Sequence, residues 1–372
     1  MNQEYKKLLQ KQHYEFIGDH SAVKVCEWTK KSLRAGGHCY KQKFYGIRSH
    51  QCVQMTVAVN FCDLDCVYCW RERNNSPFTV IDDPKTLIDN AIRAQRKQLS
   101  GFGGNENTKG SKKLDESKFP IHFAISLNGE NLYYPQLGEL IAEIRRRGGS
   151  SFLVTNGQLP EVLAKLELPT QLYISIDSPN PELQKEITRA LRPDSWEKLM
   201  QSLDILRELK GKTRTVLRIT CIKGMNMVEP AGYARLIERA KPDFVEVKGY
   251  MFIGASRERL SIKNMPLHAE ILQFSEEIAK ECGYKLIDEQ PASRVALLMK
   301  EDVPWRMMNF SNAALSEAPA IVHASHKPNR ARPILSGMRE HSESRCCTSE
   351  QQSTASDAQE SETIMMARGL KH

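Results

Sequence analysis

Short apolar runs alternate with segments of helical periodicity through the middle of this 372-residue chain. The runs cover residues 55–60, 121–127, 152–155, 172–176, 216–222 and 244–247. Helix-period segments lie between several of them, at 136–147, 160–166, 196–210 and 232–240. Strand, helix and strand at this spacing predict repeated βαβ units and a parallel sheet. The expected fold class is α/β, as a full or partial (β/α) barrel of the TIM type, with a doubly wound sheet as the alternative.

The chain divides into three expected regions. Residues 1–55 form an N-terminal extension that carries three cysteines, and residues 56–310 form the barrel core, with a surface loop at 103–118. Residues 311–372 contain no aromatic side chain and are rich in Ser, Glu, Gln and Ala. Such a tail buries too little apolar surface to offset its chain entropy, so it is expected to be disordered.

Composition sets the expected surroundings of the protein. There is no run of 18 apolar residues and no apolar core near the N-terminus, so neither a membrane-spanning helix nor a secretory signal is expected. A cytoplasmic location follows as the expectation. The formal net charge of +8 fits an anionic partner such as nucleic acid.

Six of the ten cysteines fall between residues 26 and 69, a clustering that indicates metal or redox chemistry in a reducing compartment. Cys62, Cys66 and Cys69 directly follow the first apolar run. Their thiolates suit an iron–sulfur cluster, and three ligands leave one iron of a four-iron cluster open for chemistry. A zinc site or unligated core cysteines are the alternatives.

This cysteine run resembles the signature of the radical S-adenosylmethionine superfamily, which has three and then two residues between cysteines and an aromatic residue, here Tyr68, before the last one. The segment Ser126-Leu127-Asn128-Gly129-Glu130 resembles the methionine-binding motif of that superfamily, with Asn128 in place of its first glycine. The resemblance implies a [4Fe–4S] cluster on Cys62, Cys66 and Cys69 and a barrel of the radical SAM kind. It also implies that S-adenosylmethionine is bound by Asn128, Gly129, Glu130, Asn156, Ser175 and Asp177.

Cys26, Cys39 and Cys52 are spaced 13 positions apart, upstream of the first apolar run. On the residues alone, a zinc site completed by His38 or His50 is an alternative to a second iron–sulfur cluster.

These three cysteines, the segment Tyr40-Lys41-Gln42-Lys43-Phe44-Tyr45-Gly46-Ile47 and the sequence Cys66-Val67-Tyr68-Cys69-Trp70-Arg71 together resemble the tRNA 4-demethylwyosine synthase family, in its stand-alone archaeal form. Val245-Glu246-Val247-Lys248-Gly249-Tyr250-Met251 and Ser256-Arg257 are similar to the same family, and the likeness covers about residues 20–310. The resemblance implies a radical lyase that condenses 1-methylguanosine at position 37 of phenylalanine tRNA with pyruvate.

The same resemblance implies further partners and site residues. Cys26, Cys39 and Cys52 would hold a second [4Fe–4S] cluster, and electrons would come from a separate donor of the flavodoxin or ferredoxin type. One of Lys248, Lys41 and Lys43 would form a Schiff base with pyruvate, which requires an amine of lowered pKa. Contacts with the anticodon loop would come from Tyr45, Arg48, Trp70 and Arg71.

Two other functional classes remain alternatives at this point. One is a different two-cluster radical enzyme, such as a peptide or protein maturase, and the other is a non-enzymatic, metal-dependent module that binds tRNA. Outside the two cysteine sets, Cys221 and Cys282 are expected in the core, and His122 and His268 as packed or surface residues rather than ligands.

Overall fold

Six parallel strands form the centre of the protein, flanked at each edge by antiparallel strands, in a computed structural model that describes residues 1–59, 61–72, 75–76 and 78–310. The described residues fall within one compact unit. The strands are β1 (Glu15–Phe16), β2 (Ala22–Val23), β3 (Cys52–Thr56), β4 (His122–Ile125), β5 (Ser150–Thr155), β6 (Gln171–Ser175), β7 (Arg214–Cys221), β8 (Phe244–Gly249), β9 (Lys285–Gln290) and β10 (Val295–Met299). The expected disordered tail, residues 311–372, lies outside the described residues.

Helices connect the parallel strands, and several short 3₁₀ helices lie in the loops. The α-helices are α1 (Gln3–Lys11), α2 (Glu27–Leu33), α3 (Tyr40–Tyr45), α4 (Pro84–Leu99), α5 (Lys112–Ser117), α6 (Leu137–Arg146), α7 (Pro160–Leu163), α8 (Pro181–Thr188), α9 (Ser195–Glu208), α10 (Pro230–Ala240) and α11 (His268–Cys282). The 3₁₀ helices are Ser49–Gln51, Ser100–Gly104, Asn131–Tyr133, Gly254–Glu258, Ile262–Asn264, Pro291–Ser293 and Pro304–Arg306.

The strand order distinguishes the two expected sheet layouts. β3 to β8 pair in parallel with their neighbours in chain order, and β2 and β10 add antiparallel strands at the two edges. A doubly wound sheet reverses its strand order at a switch point, and this sheet does not. Because β1 and β9 lie at opposite ends of the order, the fold is a partial (β/α) barrel, which confirms the predicted class.

Successive residues of the parallel strands point to opposite faces of the sheet, and each face packs in its own hydrophobic core. Leu153, Leu172, Leu217 and Val245 pack in the larger core, together with apolar residues of α4, α6, α9, α10 and α11. The opposite face of the same strands carries Phe152, Tyr173, Val216 and Phe244, and these residues pack with Tyr40, Phe44 and Tyr45 of α3. Helix α3, from the N-terminal segment, therefore covers part of the concave face of the sheet. The helices that connect the parallel strands pack on the other face.

Two expected elements are corrected by the structure, and four strands were not expected. β3 begins at Cys52 rather than Met55, so Cys52 opens the first parallel strand instead of preceding it. The expected surface loop at 103–118 contains helix α5 and the end of a 3₁₀ helix. The edge strands β1, β2, β9 and β10 were not predicted, because two of them have only two residues and the other two form an antiparallel hairpin outside the βαβ pattern.

Among the described residues, no helix has both the length and the apolar character needed to cross a membrane.

His122 is packed, as expected, at the first position of β4. Its Nε2 accepts the Arg48 N–H at 3.0 Å, and its Nδ1 lies 2.7 Å from the Ser150 hydroxyl. Burial lowers the pKa of His122 from 6.5 to about 3, with a further contribution from the charge of Arg48. The folded protein therefore holds this imidazole neutral.

We expect His122 to make stability depend on pH. The unfolded chain binds a proton here below pH 6.5 and the folded chain does not until about pH 3, so stability present above pH 6.5 is lost as the pH falls. Urea unfolding at pH 7.5 and 5.5 should show that His122→Asn removes about 1 kcal/mol of this loss. The control is His268→Asn, at a partly exposed ion pair with Glu289. An equal effect in the control would contradict the assignment.

Candidate active site

The loop with Cys62, Cys66 and Cys69 follows β3, at the carboxyl ends of the parallel strands, where barrel enzymes place their chemistry. Backbone hydrogen bonds hold it against the end of α8. The N–H groups of Asp65 and Val67 donate to the carbonyls of Thr188 and Ile187 at 2.8 and 2.9 Å. The end of a neighbouring helix therefore helps to set the shape of the loop.

A second segment, after β8, holds the other end of this loop. The Arg259 guanidinium donates to the carbonyls of Val67 and Cys69 at 3.1 and 2.5 Å. The Ala255 N–H donates to the carbonyl of Trp70 at 2.9 Å. Next to it, Gly254 has a φ of +58°, and a Cβ there would lie 2.0 Å from the same carbonyl. The approach of these two loops therefore requires glycine.

The three thiols of this loop are close enough to influence one another. Burial raises the pKa of Cys62 and of Cys66, and the neighbouring thiols raise both further. All three cysteines are free, and the Asn156 amide Nδ2 lies 3.8 Å from Cys62 Sγ. Deprotonating these buried thiols is unfavourable unless a cation lies beside them. A positively charged iron–sulfur core would supply that charge.

The turn at residues 128–130 packs directly on this loop. Gly129 has a φ of +63°, and a Cβ there would lie 1.7 Å from the Ala58 carbonyl oxygen and 2.7 Å from that of Phe61. The Glu130 N–H donates to the Phe61 carbonyl at 2.8 Å. Glycine is needed at position 129 both for its dihedral angle and for this close approach.

The Glu130 carboxylate lies at the centre of the site's buried polar contacts. It accepts the backbone N–H groups of Leu132 and Asn156 at 3.0 and 2.8 Å. Burial raises the pKa of Glu130 to about 7, although these two hydrogen bonds oppose the shift. The Asn128 amide donates to the Val59 carbonyl at 3.1 Å, so it supports the start of the cysteine loop.

The ends of β6 and the following loop supply the other predicted cofactor contacts. The Tyr68 hydroxyl donates to Asp177 Oδ2 at 2.6 Å, and burial raises the pKa of Asp177 to about 6. Ser175 ends β6 and lies beside Arg218 of β7. The structure thus brings all six predicted S-adenosylmethionine residues to the strand ends around the first cysteine set, and their contact with that cofactor stays a prediction.

Cys26, Cys39 and Cys52 also meet, on the concave side of the sheet. Cys26 and Cys39 precede α2 and α3, and Cys52 opens β3. Burial raises the pKa of Cys39 and Cys52 to about 12, and the Cys26 thiol raises both. The Lys41 ammonium acts in the opposite direction on all three thiols, so it lies near each of them.

The zinc alternative for this set would take its fourth ligand from His38 or His50, and the Nδ1 atom of His50 is buried with no hydrogen-bond partner among the described residues. His50 Nε2 lies 2.6 Å from Glu116 Oε2, and His38 contributes its backbone carbonyl to a hydrogen bond with Gln290. Within the described ranges, no three His, Cys, Asp or Glu side chains converge closely enough to hold a single ion. The same is true of Cys62, Cys66 and Cys69, and the metal that Cys26, Cys39 and Cys52 bind stays a prediction.

A buried carboxylate fixes α3 within the barrel. Glu246, on the concave face of β8, is fully buried and accepts the hydroxyls of Tyr40 and Tyr45 at 2.9 and 2.8 Å. Tyr40 follows Cys39 directly, so this clamp also sets the position of one thiol of the second set.

The three candidate lysines have different surroundings. Lys43 is 41% exposed and pairs with Asp288 at 2.8 Å, so the structure rejects it as a buried nucleophile. Lys41 is buried, with its ammonium 4.6 Å from the Tyr173 ring centroid. Lys248 donates to the Ser293 carbonyl at 2.6 Å. Burial lowers the pKa of Lys248 to about 8, and the charge of Arg218 lowers it further.

Comparison with known families agrees with this geometry. Residues 56–237 match the radical SAM superfamily, and residues 239–300 match a family described as wyosine base formation. The S-adenosyl-L-methionine-dependent tRNA 4-demethylwyosine synthase of Pyrococcus horikoshii is 47% identical over 312 residues, which cover 82% of this chain and 90% of that protein. The chain therefore belongs to the tRNA 4-demethylwyosine synthase family. It is a radical S-adenosylmethionine enzyme.

Solved structures support the family assignment. A structure of TYW1 with a lysine-pyruvate adduct bound is 36% identical, with a TM-score of 0.75, and the match covers 83% of this chain and 98% of the other. A crystal structure of archaeal TYW1 is 34% identical, with a TM-score of 0.70, and the match covers 83% and 100% of the two chains. Membership in an enzyme family excludes the non-enzymatic alternative.

Two of the four predicted tRNA contacts of this synthase are corrected. Tyr45 is fully buried and bonded to Glu246, so it cannot stack on a base. Arg48 lies beside His122 at the start of β4, at the end of the sheet opposite the first cysteine set, and donates to the Phe310 carbonyl at 2.8 Å. Nearness to a cysteine in sequence did not reveal which end of the sheet a residue occupies.

The other two predicted contacts stay near the cysteine loop. The Arg71 guanidinium stacks on the Trp70 ring at 4.6 Å and donates to the Ser126 carbonyl at 2.8 Å. Trp70 is partly buried against Tyr5, Tyr14 and other residues of the N-terminal segment. Their contact with tRNA stays a prediction.

Sequence reasoning missed three charged residues of this site, Arg218, Glu246 and Arg259. The first two lie inside the apolar runs 216–222 and 244–247. A charged residue inside a buried strand is itself a signal, because burial of a charge requires a partner or a function. Arg259 had no comparable signal, since its partners are backbone carbonyls of a distant loop.

We expect Gly129→Ala to disrupt the first cysteine set. Gly224→Ala is a matched control, because Gly224 also has a positive φ, of +75°, but has open space around it. Gly129→Ala should lower iron content after reconstitution and slow 5′-deoxyadenosine formation under dithionite by at least about tenfold, whereas the control should change neither much. Equal behaviour of the two variants would show that backbone strain alone, and not the close approach to the cysteine loop, matters.

Proposed function

We propose that this chain converts 1-methylguanosine at position 37 of phenylalanine tRNA to 4-demethylwyosine, with pyruvate as the second substrate. The observation that carries the proposal is the convergence of two separate sets of free thiols on one barrel, with Lys248 near the second set. The second set and the lysine suit a second, small substrate.

Both thiol sets fit [4Fe–4S] clusters with one iron left without a protein ligand. Cys62, Cys66 and Cys69 would hold the first cluster, and Cys26, Cys39 and Cys52 the second. The first would supply the electron that splits S-adenosylmethionine and so gives the radical that activates the methyl group of 1-methylguanosine. Asn156 and Glu130 stabilise the loop of the first set, and the Glu246 clamp stabilises that of the second.

Lys248 is the residue we propose for the adduct with pyruvate. Its nitrogen would form a C=N bond to carbon 2 of pyruvate, and the keto oxygen would leave as water. The amine must be neutral to attack, and its burial near Arg218 supports this state. The lysine-pyruvate adduct reported for a related TYW1 supports such chemistry in the family.

Lys41 suits a different role. It lies near all three thiols of the second set, so its positive charge would offset the negative charge of a thiolate-bound cluster. The Phe152 and Tyr173 rings lie 5.2 and 4.6 Å from its ammonium and shield it from solvent. We assign Lys41 to the stability of the second set rather than to covalent chemistry.

The tRNA would bind at the carboxyl ends of the strands, where the site opens. Met251 and Ile253 are exposed in the loop after β8, and the Arg257 guanidinium lies 5.6 Å from the Phe252 ring centroid. Apolar and cationic groups together suit a splayed base and its phosphates. A tRNA substrate also favours a cytoplasmic location, and we propose that a separate flavodoxin or ferredoxin supplies the electrons.

We expect Cys39→Ala to separate radical formation from product formation. The variant should cleave S-adenosylmethionine at a rate within about threefold of the parent, because the first thiol set is intact, yet form no product. Iron per chain should fall from about eight to about four. The assay uses 1-methylguanosine-containing tRNA and pyruvate labelled at carbon 2, with mass spectrometry of digested nucleosides.

Cys282→Ala, at a buried cysteine of α11, is the control and should retain labelled product. Failure of the parent protein to place label in the tRNA base would defeat the proposed function. Equal loss of S-adenosylmethionine cleavage in Cys39→Ala and Cys66→Ala would defeat the division between the two sets.

We expect cyanoborohydride to trap pyruvate on Lys248. The reductant delivers hydride to the C=N bond, so the intact protein should gain pyruvate less water plus two hydrogens, at one site found by peptide mapping. Lys248→Ala should lose the adduct completely, and Lys43→Ala should retain it, because that ammonium is paired at the surface. An adduct mapped to Lys41 instead would overturn the assignment.

A further inference from the structure

A groove with a volume of about 580 Å³ lies at the edge of the sheet, between β2, α2 and the end of α4. Three cations line it, Lys24, Lys30 and Arg34, together with the aromatic rings of Tyr14 and Phe102. The Lys24 ammonium lies 5.1 Å from the Tyr14 ring centroid, and the Arg34 guanidinium lies 4.8 Å from that of Phe102. The groove therefore combines cations with aromatic rings.

The carboxylates at this groove do not neutralise Lys24. Glu15 pairs with Lys97 at 2.7 Å, and Glu27 is exposed in the first turn of α2. Among the described residues, Lys24 forms no ion pair, and the charged groups that act on it are the cations Lys30 and Arg71. Burial and these two charges lower the pKa of Lys24. An anion bound here would stabilise this partly buried ammonium.

Lys24 connects the groove to the first cysteine loop. Its ammonium lies 5.5 Å from the ring centroid of Trp70, the residue that follows Cys69. The Arg71 guanidinium lies 4.6 Å from the centroid of the same ring. One end of the groove therefore presents two cations against a single aromatic ring, directly beside the loop of the first thiol set.

Two buried polar atoms near this ring have no partner. Tyr14 packs with Trp70, is only 2% exposed, and its hydroxyl forms no hydrogen bond in the part of the chain that the structure describes. The same holds for the Nε atom of Arg71. The charge of Arg71 opposes the rise in the pKa of Tyr14 that burial causes, so the guanidinium lies near this hydroxyl. Unpaired buried donors are costly, and the oxygen atoms of an anion would pair with both.

We propose that a backbone phosphate of the tRNA binds between Lys24, Arg71 and Tyr14, next to the first cysteine loop. The RNA strand then continues along the groove, past Lys30 and Arg34. This inference rests on the proposed tRNA substrate, and it names the path by which the strand beside the target base leaves the active site.

The chemistry of the groove favours RNA over other anionic partners. Phosphate oxygens accept hydrogen bonds from ammonium, guanidinium and hydroxyl groups, and the rings of Trp70 and Phe102 offer surfaces for bases. An acidic electron-donor protein is the alternative partner. It is less favoured because the donors without partners, the Tyr14 hydroxyl and Arg71 Nε, are buried. A flexible strand places a phosphate in such a recess, whereas a folded protein presents its carboxylates on a convex surface.

The test measures the affinity of the reconstituted enzyme for 1-methylguanosine-containing tRNA by fluorescence anisotropy, at salt concentrations from about 50 to 200 mM. Lys24→Met removes the charge and keeps an unbranched side chain beside the rings, and it should weaken binding about five- to tenfold at the lowest salt. The slope of log Kd against log salt should fall by about 0.7 to 0.9, the value for one phosphate contact. Lys24→Arg should restore most of the affinity and of the slope.

Lys300→Met is the matched control, because the Lys300 ammonium also lies 5.5 Å from a tyrosine ring centroid but has a carboxylate partner, Glu238. It should change neither the affinity nor the slope. The double variant Lys30→Gln/Arg34→Gln tests the rest of the groove and should reduce the slope by about 1.4 to 1.8. Iron content and cleavage of S-adenosylmethionine without RNA should stay within about twofold of the parent in Lys24→Met, which excludes misfolding as the cause of weak binding.

Several outcomes would overturn this proposal. Unchanged affinity and salt slope in Lys24→Met would remove the phosphate site, and an unchanged slope in the double variant would remove the path along the groove. Slower reduction of Lys24→Met by reduced flavodoxin, with unchanged tRNA binding, would assign the groove to the electron donor instead. If the parent binds tRNA with the expected dependence on Lys24 but places no label in the base, the proposed reaction fails while the groove stands.

Discussion

The contact of Glu246 with two tyrosine hydroxyls organises the interior of this protein. A fully buried carboxylate is costly unless it is hydrogen-bonded, and Tyr40 and Tyr45 each provide one bond from opposite ends of α3. The helix is held against the concave face of the sheet as a result. Cys39 precedes this helix, and Arg218 faces the same carboxylate from β7. Glu246 therefore contacts both the helix that positions Cys39 and the strand neighbour Arg218.

Charge is distributed differently in the two halves of the site. Buried carboxylates, Asp63, Glu130 and Asp177, surround the first cysteine set at the strand ends. Cations, Lys41, Arg218 and Lys248, line the region near the second set. S-adenosylmethionine carries a sulfonium and an ammonium group, whereas pyruvate is an anion. Glu246 is the buried carboxylate of this second region, so three cations there face one carboxylate, whereas three carboxylates surround the first set.

Local sequence patterns predicted the repeating strands and helices. The features that they did not predict depend on contacts between residues far apart in sequence. Parallel strands and the Cys62–Cys69 loop depend on neighbouring sequence, so apolar runs and cysteine spacing indicate them. The role of α3 depends on Glu246, which lies 206 residues from Tyr40. Tyr45 and Arg48 were misassigned for this reason: they follow Cys39 closely in sequence, but one enters the core and the other lies near the amino ends of the strands.

Residues near the C-terminal end of the barrel hold α3 in place, and this has a consequence for folding during synthesis. The Arg306 guanidinium donates to the Phe44 carbonyl at 3.0 Å, the Met308 N–H donates to that of Tyr45 at 2.9 Å, and Gln290 holds the His38 carbonyl. During synthesis, residues 27–51 leave the ribosome about 250 residues before these partners. Cys26, Cys39 and Cys52 thus reach their final arrangement only after the chain is complete through Met308. A cluster held by these thiols would therefore be loaded only after the chain has folded through Met308.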